Sequence, residues 1–482
     1  MQKCDRSDAG ADLLQSGTAV FGRTVPRLSI FQQRGKLNME RKRKNVTYKE
    51  ARVYLDEMSK YGSVLGLDTI RGLLRELGDP QDDLKFIHIA GTNGKGSVLA
   101  YTSMILSEAG YRIGRYVSPT VVSYLERIQV DAEWIREEAF ARLTDKVRDA
   151  IARLEEAGEP LPTVFETETA IAFLYFREMN CDLVVLEAGL GGALDATNIV
   201  KNTVCAAFAS ISPDHLGVIG DTLDEIAENK AGIIKPGCAV VSAAQRENVS
   251  RILKGRAKDC GCTYTEADPA QMDITEESYR GIRFSYKEFR DLHTHMTGKY
   301  QTGNAAAALE VIRILRDKGY EIPDSAVRQG MEKTRWPGRF HAIGEKPVFI
   351  LDGAHNEDAA LRLRESVESY FPGRRRLGIM GVFRDKDYER IAQIMGPVMD
   401  EIRPVDLPDR NRGLPSGELA RTLEKYCPCV RDAGQGSVES AVEVALADAG
   451  DTDVILAFGS LSYLHEVKAA YDRIREPDEK RV

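Results

Sequence analysis

The sequence lacks the features that mark several classes of protein. No apolar run approaches the ~18 residues that a membrane-spanning helix requires, and the run at 204–211 has the length of a buried strand. An excess of basic residues is also absent, since 66 Lys and Arg accompany 74 Asp and Glu, for a net charge of −8. Because general nucleic-acid binders are usually basic, we expect no nucleic-acid partner. Because no apolar run is long enough to span a membrane, we also expect no membrane association. A locally basic cleft would still accept a small anionic ligand.

Cysteines are too few for a disulfide scaffold. The chain contains 8 cysteines among 482 residues. The pairs Cys260 with Cys262 and Cys427 with Cys429 have one intervening residue, whereas zinc sites typically have two. We therefore expect free thiols rather than a structural metal at these pairs. Free thiols suit a reducing compartment, so we expect a cytoplasmic protein.

The first 44 residues differ from the rest of the chain. They lack apolar periodicity and end in a basic run at 41–44. A secretory signal has an apolar core, and a transit peptide is poor in acidic residues, whereas acidic residues here begin at Asp5. We expect residues 1–44 to form a disordered extension, with Met39 as an alternative initiator.

Beyond the extension, strand-length apolar runs alternate with helical patterns. Thr47 and Glu50 have the spacing of a capping box that opens a helix to about residue 60. Further helical patterns lie at 137–156 and 223–231. Alternation of this kind predicts an α/β fold with a mostly parallel sheet covered on both faces. The strands predicted in this part are 85–90, 111–117, 182–186, 204–211 and 239–242.

A turn-rich segment at 335–339 divides the chain. After it, apolar runs of strand length at 348–351, 377–380 and 454–458 again alternate with helical patterns. A chain of this length exceeds what one hydrophobic core supports. We therefore predict a larger domain over 45–337 and a smaller α/β domain over 338–482.

A glycine-rich loop, Gly91 to Ser97, lies between a predicted strand and a predicted helix. The backbone N–H groups of such a loop surround phosphate oxygens, and the helix N-terminus adds a favourable dipole. Lys95 supplies a positive charge for the outer phosphates, and Ser97 supplies a hydroxyl for Mg²⁺. Gly96 separates this lysine from the serine, whereas the two are adjacent in the usual phosphate loop. The loop predicts an ATP-binding site; the alternative is a glycine turn without function.

Three polar side chains follow other predicted strands, namely Ser118, Glu187 and His215. Ligands bind beyond the carboxyl ends of strands in such sheets, so we expect these side chains to converge beside the phosphate loop. Hard oxygen ligands suit Mg²⁺, while histidine is a less usual partner. Each residue also has a structural alternative: Ser118 in a Ser-Pro turn, Glu187 as a solvated strand end, and His215 as a helix cap.

Together these segments resemble the folylpolyglutamate synthases and dihydrofolate synthases of the Mur ligase superfamily. The resemblance extends from about residue 46 to residue 467. It implies an N-terminal ATPase domain of the phosphate-loop type at 45–337 and a C-terminal Mur ligase-type domain at 338–482. The most specific segments are 88–97, 187–198, 214–232, 336–340 and 352–356.

The resemblance also implies roles for single residues. Ser118, Glu187 and His215 match the ligands of two Mg²⁺ sites, and Lys230 matches a lysine that relatives carry as a carbamate. The alternative for Lys230 is an unmodified lysine that pairs with phosphate. Lys95, Lys230 and His215 are the implied catalytic residues. The implied ATP-binding residues are Gly94, Lys95, Gly96, Ser97, Asn304, Arg339, Asp352 and His355.

Because Arg339 and Asp352 lie at and after the predicted linker, the resemblance implies that ATP lies between the domains and that closure completes the site.

Two loops, at 63–65 and 163–166, match the pterin-binding part of relatives. Phe165 suits stacking on a pterin ring or packing in a core. The implied pterin- or folate-binding residues are Ser63, Val64, Leu65, Thr163, Val164, Phe165 and Glu166.

The sequence departs from the family pattern at two positions. Relatives commonly have histidine where Thr120 follows Ser118 and Pro119, and many have glutamate where Asn229 precedes Lys230. The serine and the lysine themselves are present, so the implied metal site is kept. The acceptor preference near Thr120 is left open.

The implied reaction is the ATP-dependent addition of L-glutamate to a carboxylate through an acyl phosphate, by a monomer. The acceptor is dihydropteroate, a reduced folate, or both. One rival is a ligase for UDP-linked muramyl peptides, which usually has an additional N-terminal domain; about 40 unpatterned residues are too few for one. Other rivals are a phosphate-loop switch protein such as a GTPase, and a kinase for a small acid.

Overall fold

The computed structural model describes residues 46–58, 65–214, 217–431 and 436–475. The predicted extension at 1–44 lies outside the described residues, as do the predicted site residues Ser63, Val64 and His215. Every helix in the described ranges is too short or too polar to span a lipid bilayer.

Helices and strands alternate through most of the described chain. The helices are α1 Tyr48–Met58, α2 Asp68–Glu76, α3 Lys95–Glu108, α4 Glu137–Glu156, α5 Val164–Glu178, α6 Leu223–Ala231, α7 Glu247–Asp259, α8 Gln301–Asp317, α9 Asp324–Lys333, α10 Glu357–Tyr370, α11 Tyr388–Met395, α12 Ser416–Leu423, α13 Val438–Asp448 and α14 Leu464–Arg475. The strands are β1 Phe86–Ala90, β2 Ile113–Tyr116, β3 Ile128–Val130, β4 Glu133–Trp134, β5 Leu183–Glu187, β6 Thr203–Phe208, β7 Ala239–Ser242, β8 Thr263–Glu266, β9 Met272–Ser278, β10 Gly281–Tyr286, β11 Phe289–Thr294, β12 His341–Glu345, β13 Val348–Leu351, β14 Arg376–Met380, β15 Glu401–Pro404 and β16 Val454–Phe458.

The first sheet is mostly parallel, as predicted. Its strand order is β4-β3-β2-β5-β1-β6-β7-β8, and only the pairs of β3 with β2 and with β4 are antiparallel. Alternate residues of β1 face opposite sides, because side chains alternate along a strand. Ile87 and Ile89 pack with α3 and α8, whereas Phe86 packs with α4 and α5. The sheet is therefore covered on both faces, and both faces are apolar.

A second sheet follows the turn-rich segment, with the order β12-β13-β16-β14-β15. Its strands are parallel except for β12, which runs antiparallel to β13. The described residues from Val46 onward belong to one compact unit, which includes both sheets. The division into two domains near residue 338 stays a prediction.

A third sheet was not predicted from the sequence. It is antiparallel, with the order β11-β10-β9. Most residues of β9 are exposed, and only one face of β10 is buried, at Ile282, Phe284 and Tyr286. Because β9 has only two apolar residues, Met272 and Ile274, its sequence carries little of the alternation that identifies a strand.

The predicted capping box at the start of α1 is confirmed. Glu50 Oε2 accepts a hydrogen bond from the backbone N–H of Thr47 at 2.8 Å, and the backbone N–H of Glu50 donates to Thr47 Oγ1 at 3.3 Å. These bonds satisfy N–H groups that have no partner within the helix.

Candidate active site

The glycine-rich loop connects β1 to α3, which begins at Lys95. Gly94 has a φ of +90°, and a Cβ placed on it would lie 2.3 Å from Asn304 Oδ1. A side chain at position 94 is thus opposed by both the backbone conformation and the lack of space. Asn304 in turn is held by Gln301, whose Oε1 accepts from Asn304 Nδ2 at 3.0 Å. The structure therefore places the predicted residue Asn304 directly against the loop.

The unusual lysine–glycine–serine spacing has a steric cause. A Cβ on Gly96 would lie 2.7 Å from Trp336 Nε1, so the indole packs on the backbone of the helix start. Trp336 belongs to the turn-rich segment and was not predicted as a site residue. The hydroxyl of Ser97, one residue further, is buried and has no hydrogen-bond partner among the described residues. A buried hydroxyl of this kind is suited to a ligand that the protein itself does not supply.

We expect Gly96→Ala to raise KM for ATP about tenfold, because the added methyl group forces the loop or Trp336 to move. The measurement is steady-state kinetics with ATP as the varied substrate. Gly255→Ala is the matched control, since a Cβ there meets nothing within 4 Å. A Gly96→Ala enzyme with an unchanged KM for ATP would show that this contact does not shape the loop.

Ser118 and Glu187, two of the three residues expected beside the phosphate loop, lie together next to Lys95. Lys95 Nζ donates to the carbonyl oxygens of Gly91 and Thr92 at 3.2 and 3.3 Å, and lies 3.9 Å from Glu187 Oε1. Glu187 Oε2 accepts from the backbone N–H of Ser118 at 3.3 Å. The cause is the sheet order, because β2, β5 and β1 are neighbours and their carboxyl ends meet at one edge.

Glu187 lies at the end of a strand, but it is not exposed to solvent there as one of the two interpretations of the sequence expected. Its side chain is buried, with 5% of the residue exposed. Burial raises the pKa of its carboxyl group, while Lys95, the N–H of Ser118 and the charge of Arg339 oppose that rise. Its carboxylate supplies hard oxygen ligands of the kind that Mg²⁺ prefers.

Lys230, in the last turn of α6, also extends its side chain to the phosphate loop. Its Nζ donates to the carbonyl oxygen of Gly91 at 3.0 Å, and only 4% of the residue is exposed. Burial, together with the charge of Lys95, lowers the pKa of its ammonium group to about 7. Two lysine side chains thus share one carbonyl group, and one of them is readily neutral near physiological pH.

Three predicted residues come from the second sheet and the segment before it. Asp352 Oδ2 accepts from the Tyr300 hydroxyl and from the N–H of Phe340, both at 2.8 Å, so this carboxylate holds the segment that carries Arg339. Burial raises the pKa of both Glu187 and Asp352, and the charge of Arg339 opposes that rise. Burial and Lys386 lower the pKa of His355 to about 4, so its imidazole is neutral at physiological pH.

Direct hydrogen bonds join the phosphate loop to the start of α10, the helix that follows β13 of the second sheet. Asn93 Nδ2 donates to Asn356 Oδ1 at 3.2 Å and to Asp358 Oδ2 at 2.9 Å. Lys386 Nζ donates to Asp214 Oδ1 at 3.1 Å, beside the predicted His215 that lies outside the described residues. These contacts were not predicted, since the partners are hundreds of residues apart and no local pattern marks them.

One predicted pterin-binding loop is a helix start instead. Thr163 caps α5, and Val164 to Glu166 form its first turn. Glu166 Oε2 accepts from the N–H of Thr163 at 2.7 Å, and the N–H of Glu166 donates to Thr163 Oγ1 at 3.3 Å. This capping box explains why the segment is helical. In the other loop, Leu65 is half-buried, and its neighbour Gly66 donates to the carbonyl oxygen of Leu194 at 3.1 Å.

Phe165 lies between β2 and the loop that follows Glu187. A Cβ on Gly189 would lie 2.5 Å from Phe165 Cζ, so the ring packs on the backbone of that loop. The ring centroid of Phe165 lies 5.9 Å from that of Tyr116. Phe165 is half-buried at this position.

Known families and structures match this chain over most of its length. The Mur ligase middle domain matches residues 89–312, and the Mur ligase glutamate ligase domain matches residues 338–461. A dihydrofolate synthase/folylpolyglutamate synthase of Bacillus subtilis is 30% identical over 428 residues, which cover 87% of this chain and 98% of that protein.

The structure of this chain is also similar to solved structures of other proteins. The crystal structure of a folylpolyglutamate synthase from Thermotoga maritima has a TM-score of 0.76 at 30% identity and covers 90% of this chain and 99% of its own. The structure of E. coli FolC in complex with DHPP and ADP has a TM-score of 0.77 at 29% identity and covers 90% of this chain and 98% of its own.

Proposed function

The chain belongs to the dihydrofolate synthase/folylpolyglutamate synthase family of Mur ligases, and we propose that it uses ATP to join L-glutamate to a folate-type carboxylate. The observation that carries this proposal is the convergence of Lys95, Lys230 and the buried Glu187 around the phosphate loop. That arrangement is suited to phosphoryl transfer, in which negative charge must be held and neutralised.

Phosphate binding uses the loop and the start of α3. Backbone N–H groups of Gly94 and Gly96 lie at the helix N-terminus, where the helix dipole favours an anion. Lys95 is held at the loop by the carbonyl oxygens of Gly91 and Thr92. A short movement of its side chain would bring the ammonium group to the outer phosphates, where it neutralises the charge that develops during transfer.

The residues present fit Mg²⁺. The Ser97 hydroxyl is buried without a hydrogen-bond partner in the described part of the chain, and Glu187 supplies a buried carboxylate beside Lys95. We propose that these two groups, with Ser118 and His215, hold two magnesium ions. When bound, Mg²⁺ neutralises charge on the phosphoryl group that is transferred.

We propose that Lys230 carries a carbamate. Addition of CO₂ requires a neutral amine, and the lowered pKa of Lys230 makes one available near neutrality. The carbamate turns a buried cation into an anionic oxygen ligand, which suits a site with two divalent cations.

The reaction proceeds in two transfers. A carboxylate oxygen of the acceptor attacks the γ-phosphorus of ATP, ADP leaves, and an acyl phosphate forms. The neutral amino group of glutamate then attacks the acyl carbon, loses a proton, and displaces inorganic phosphate to leave an amide. The first step converts a poor electrophile into a good one, which is why the ligation needs ATP.

The nucleotide lies between the two sheets in this proposal. Asn304 and Trp336 pack on the loop from one side, and Arg339 lies within electrostatic reach of both Glu187 and Asp352. We assign Asp352 a positioning role, because its oxygens already accept hydrogen bonds from Tyr300, Phe340 and Ala354. His355, which is neutral, remains a nucleotide contact.

The half-buried ring of Phe165 is our candidate for stacking on the pterin. We expect Phe165→Ala to raise KM for the acceptor about tenfold and to leave KM for ATP unchanged. Kinetics with each substrate varied in turn measure this split. Trp134→Ala, which removes an exposed aromatic residue on β4, is the control. If Phe165 were only a core residue, its loss would lower the melting temperature and leave both KM values unchanged.

We propose that the enzyme acts as a monomer, as the resemblance implies, and that it acts in the cytoplasm, where ATP is supplied. The function is tested by measuring ADP release with Mg-ATP and L-glutamate and with dihydropteroate or tetrahydrofolate as acceptor. We expect ADP only when glutamate and at least one acceptor are both present, and the comparison of acceptors gives the preference. The proposed function would be rejected if ADP were released without glutamate and without an acceptor. It would also be rejected if no ADP were released with either acceptor.

A further inference from the structure

Two histidines and a glutamate that the proposed reaction does not use lie together at the third sheet. His293 belongs to β11, His295 follows it, and Glu332 lies in the last turn of α9. One potential ligand atom of each residue lies within 4.8 Å of the others. The cluster joins elements that are separate in sequence, so the fold brings it together.

The two histidines share one face because they are two positions apart at the end of a strand. Their ring centroids are 4.5 Å apart, and the ring planes are inclined by 70°. Thr294, between them, points inward and makes a hydrogen bond of 3.1 Å with the Tyr101 hydroxyl. The buried neighbour thus fixes which way the two imidazoles point.

Each imidazole has one nitrogen available to a ligand. His295 Nδ1 lies 3.3 Å from the carbonyl oxygen of Arg280, which as an acceptor requires the proton on Nδ1 and leaves the Nε2 lone pair available. His293 Nδ1 is buried without a hydrogen-bond partner among the described residues and lies 3.7 Å from Glu332 Oε1. A backbone carbonyl that orients a histidine in this way is typical of metal ligands.

Charges of both signs surround the cluster, so we expect it to bind a cation with modest affinity. Glu332 supplies a carboxylate to the cluster. The Arg335 guanidinium donates to the carbonyl oxygens of Glu332 and Thr334. Its positive charge opposes a bound cation, so we expect weaker binding than at closed four-ligand zinc sites.

We propose that His293, His295 and Glu332 bind one divalent transition-metal ion such as Zn²⁺ through His293 Nδ1, His295 Nε2 and the carboxylate, with water at the remaining positions. Two imidazoles and one carboxylate suit Zn²⁺, Ni²⁺ or Cu²⁺ better than Mg²⁺, which prefers oxygen ligands. The bound ion ties β11 to α9 and satisfies the buried nitrogen of His293.

The test is calorimetric titration of untagged, EDTA-treated protein with Zn²⁺, in excess Mg²⁺ and a non-hydrolysable ATP analogue so that the phosphate loop is occupied. We expect one equivalent of zinc that is lost in the double variant His293→Ala/His295→Ala. Glu332→Gln, a change at an exposed side chain that keeps the fold, should weaken it about tenfold or more. His465→Ala, at an exposed histidine on α14, is the control and should bind as the wild type does.

A second readout is the melting temperature, because a ligand that binds the folded state raises it. Zn²⁺ should raise the melting temperature of the wild type and of His465→Ala, and not that of the double variant. The proposal is overturned if the double variant and Glu332→Gln bind the same number of zinc ions with the same affinity as the wild type.

Discussion

Replacement of Lys95 by alanine should lower kcat about 10³-fold, the loss expected when a preorganised charge is removed from a transition state. Lys95 belongs to the phosphate loop, and its Nζ is held by two loop carbonyl groups and lies 3.9 Å from Glu187 Oε1. Removal leaves the developing charge on the phosphoryl group without this partner. KM for ATP should change less than kcat, because backbone N–H groups still bind the phosphates.

Single-turnover measurement of acyl phosphate formation checks this result directly. Lys85→Ala is the matched control, since Lys85 is an exposed lysine just before β1. The melting temperature of Lys95→Ala should stay close to that of the wild type, because among the described residues the lysine side chain contacts two carbonyl groups and forms one long ion pair. A Lys95→Ala enzyme that keeps more than about a tenth of wild-type kcat would contradict a direct role in the transfer.

Replacement of Lys230 by methionine should lower kcat about 10²- to 10³-fold without loss of stability. Methionine keeps most of the buried side-chain volume and removes the amine. The folded state of the wild type bears the cost of burying this amine, which is why its pKa falls to about 7. The variant should therefore be at least as stable as the wild type, and a loss of activity would come from the missing carbamate rather than from unfolding.

The carbamate itself is measured by ¹³C NMR of protein equilibrated with ¹³C-bicarbonate. We expect one carbamate resonance in the wild type, none in Lys230→Met, and an unchanged signal in Lys235→Met, which removes a half-buried lysine nearby. Raising the pH from 6 to 8 takes Lys230 from mostly protonated to mostly neutral, since the amine loses its proton above about 7. The resonance should grow over that interval, and a resonance that survives in Lys230→Met would exclude this assignment.

Much of the fold could be predicted because its strands are buried on both faces. The run at 85–90 is mostly apolar, and the structure has a fully buried β1 at Phe86–Ala90. The pattern at 223–231 gives α6 with the same bounds. By contrast, β9 is exposed along most of its length and rich in glutamate, so it carries no comparable signal. The order of strands in the first sheet depends on contacts between distant segments, which a single sequence does not specify.

In the candidate site, too, some residues could be identified from the sequence and others could not. Gly94, Lys95 and Glu187 follow strands, and the general rule for ligand sites in parallel sheets identifies them. Trp336 and Asn93 were missed because their role depends on packing between distant parts of the chain. The helical start at Thr163 was mistaken for a loop, although the threonine–glutamate spacing of a capping box is visible in the sequence.

The central claim, ligation through an acyl phosphate, is tested most directly by isotope transfer. An acceptor labelled with ¹⁸O in its reacting carboxylate is incubated with the enzyme, Mg-ATP and L-glutamate, and the products are analysed by mass spectrometry. Our account predicts an acceptor extended by one glutamate residue and one ¹⁸O atom in the inorganic phosphate for each amide formed. Phosphate without ¹⁸O, or label transfer without an amide product, would contradict it.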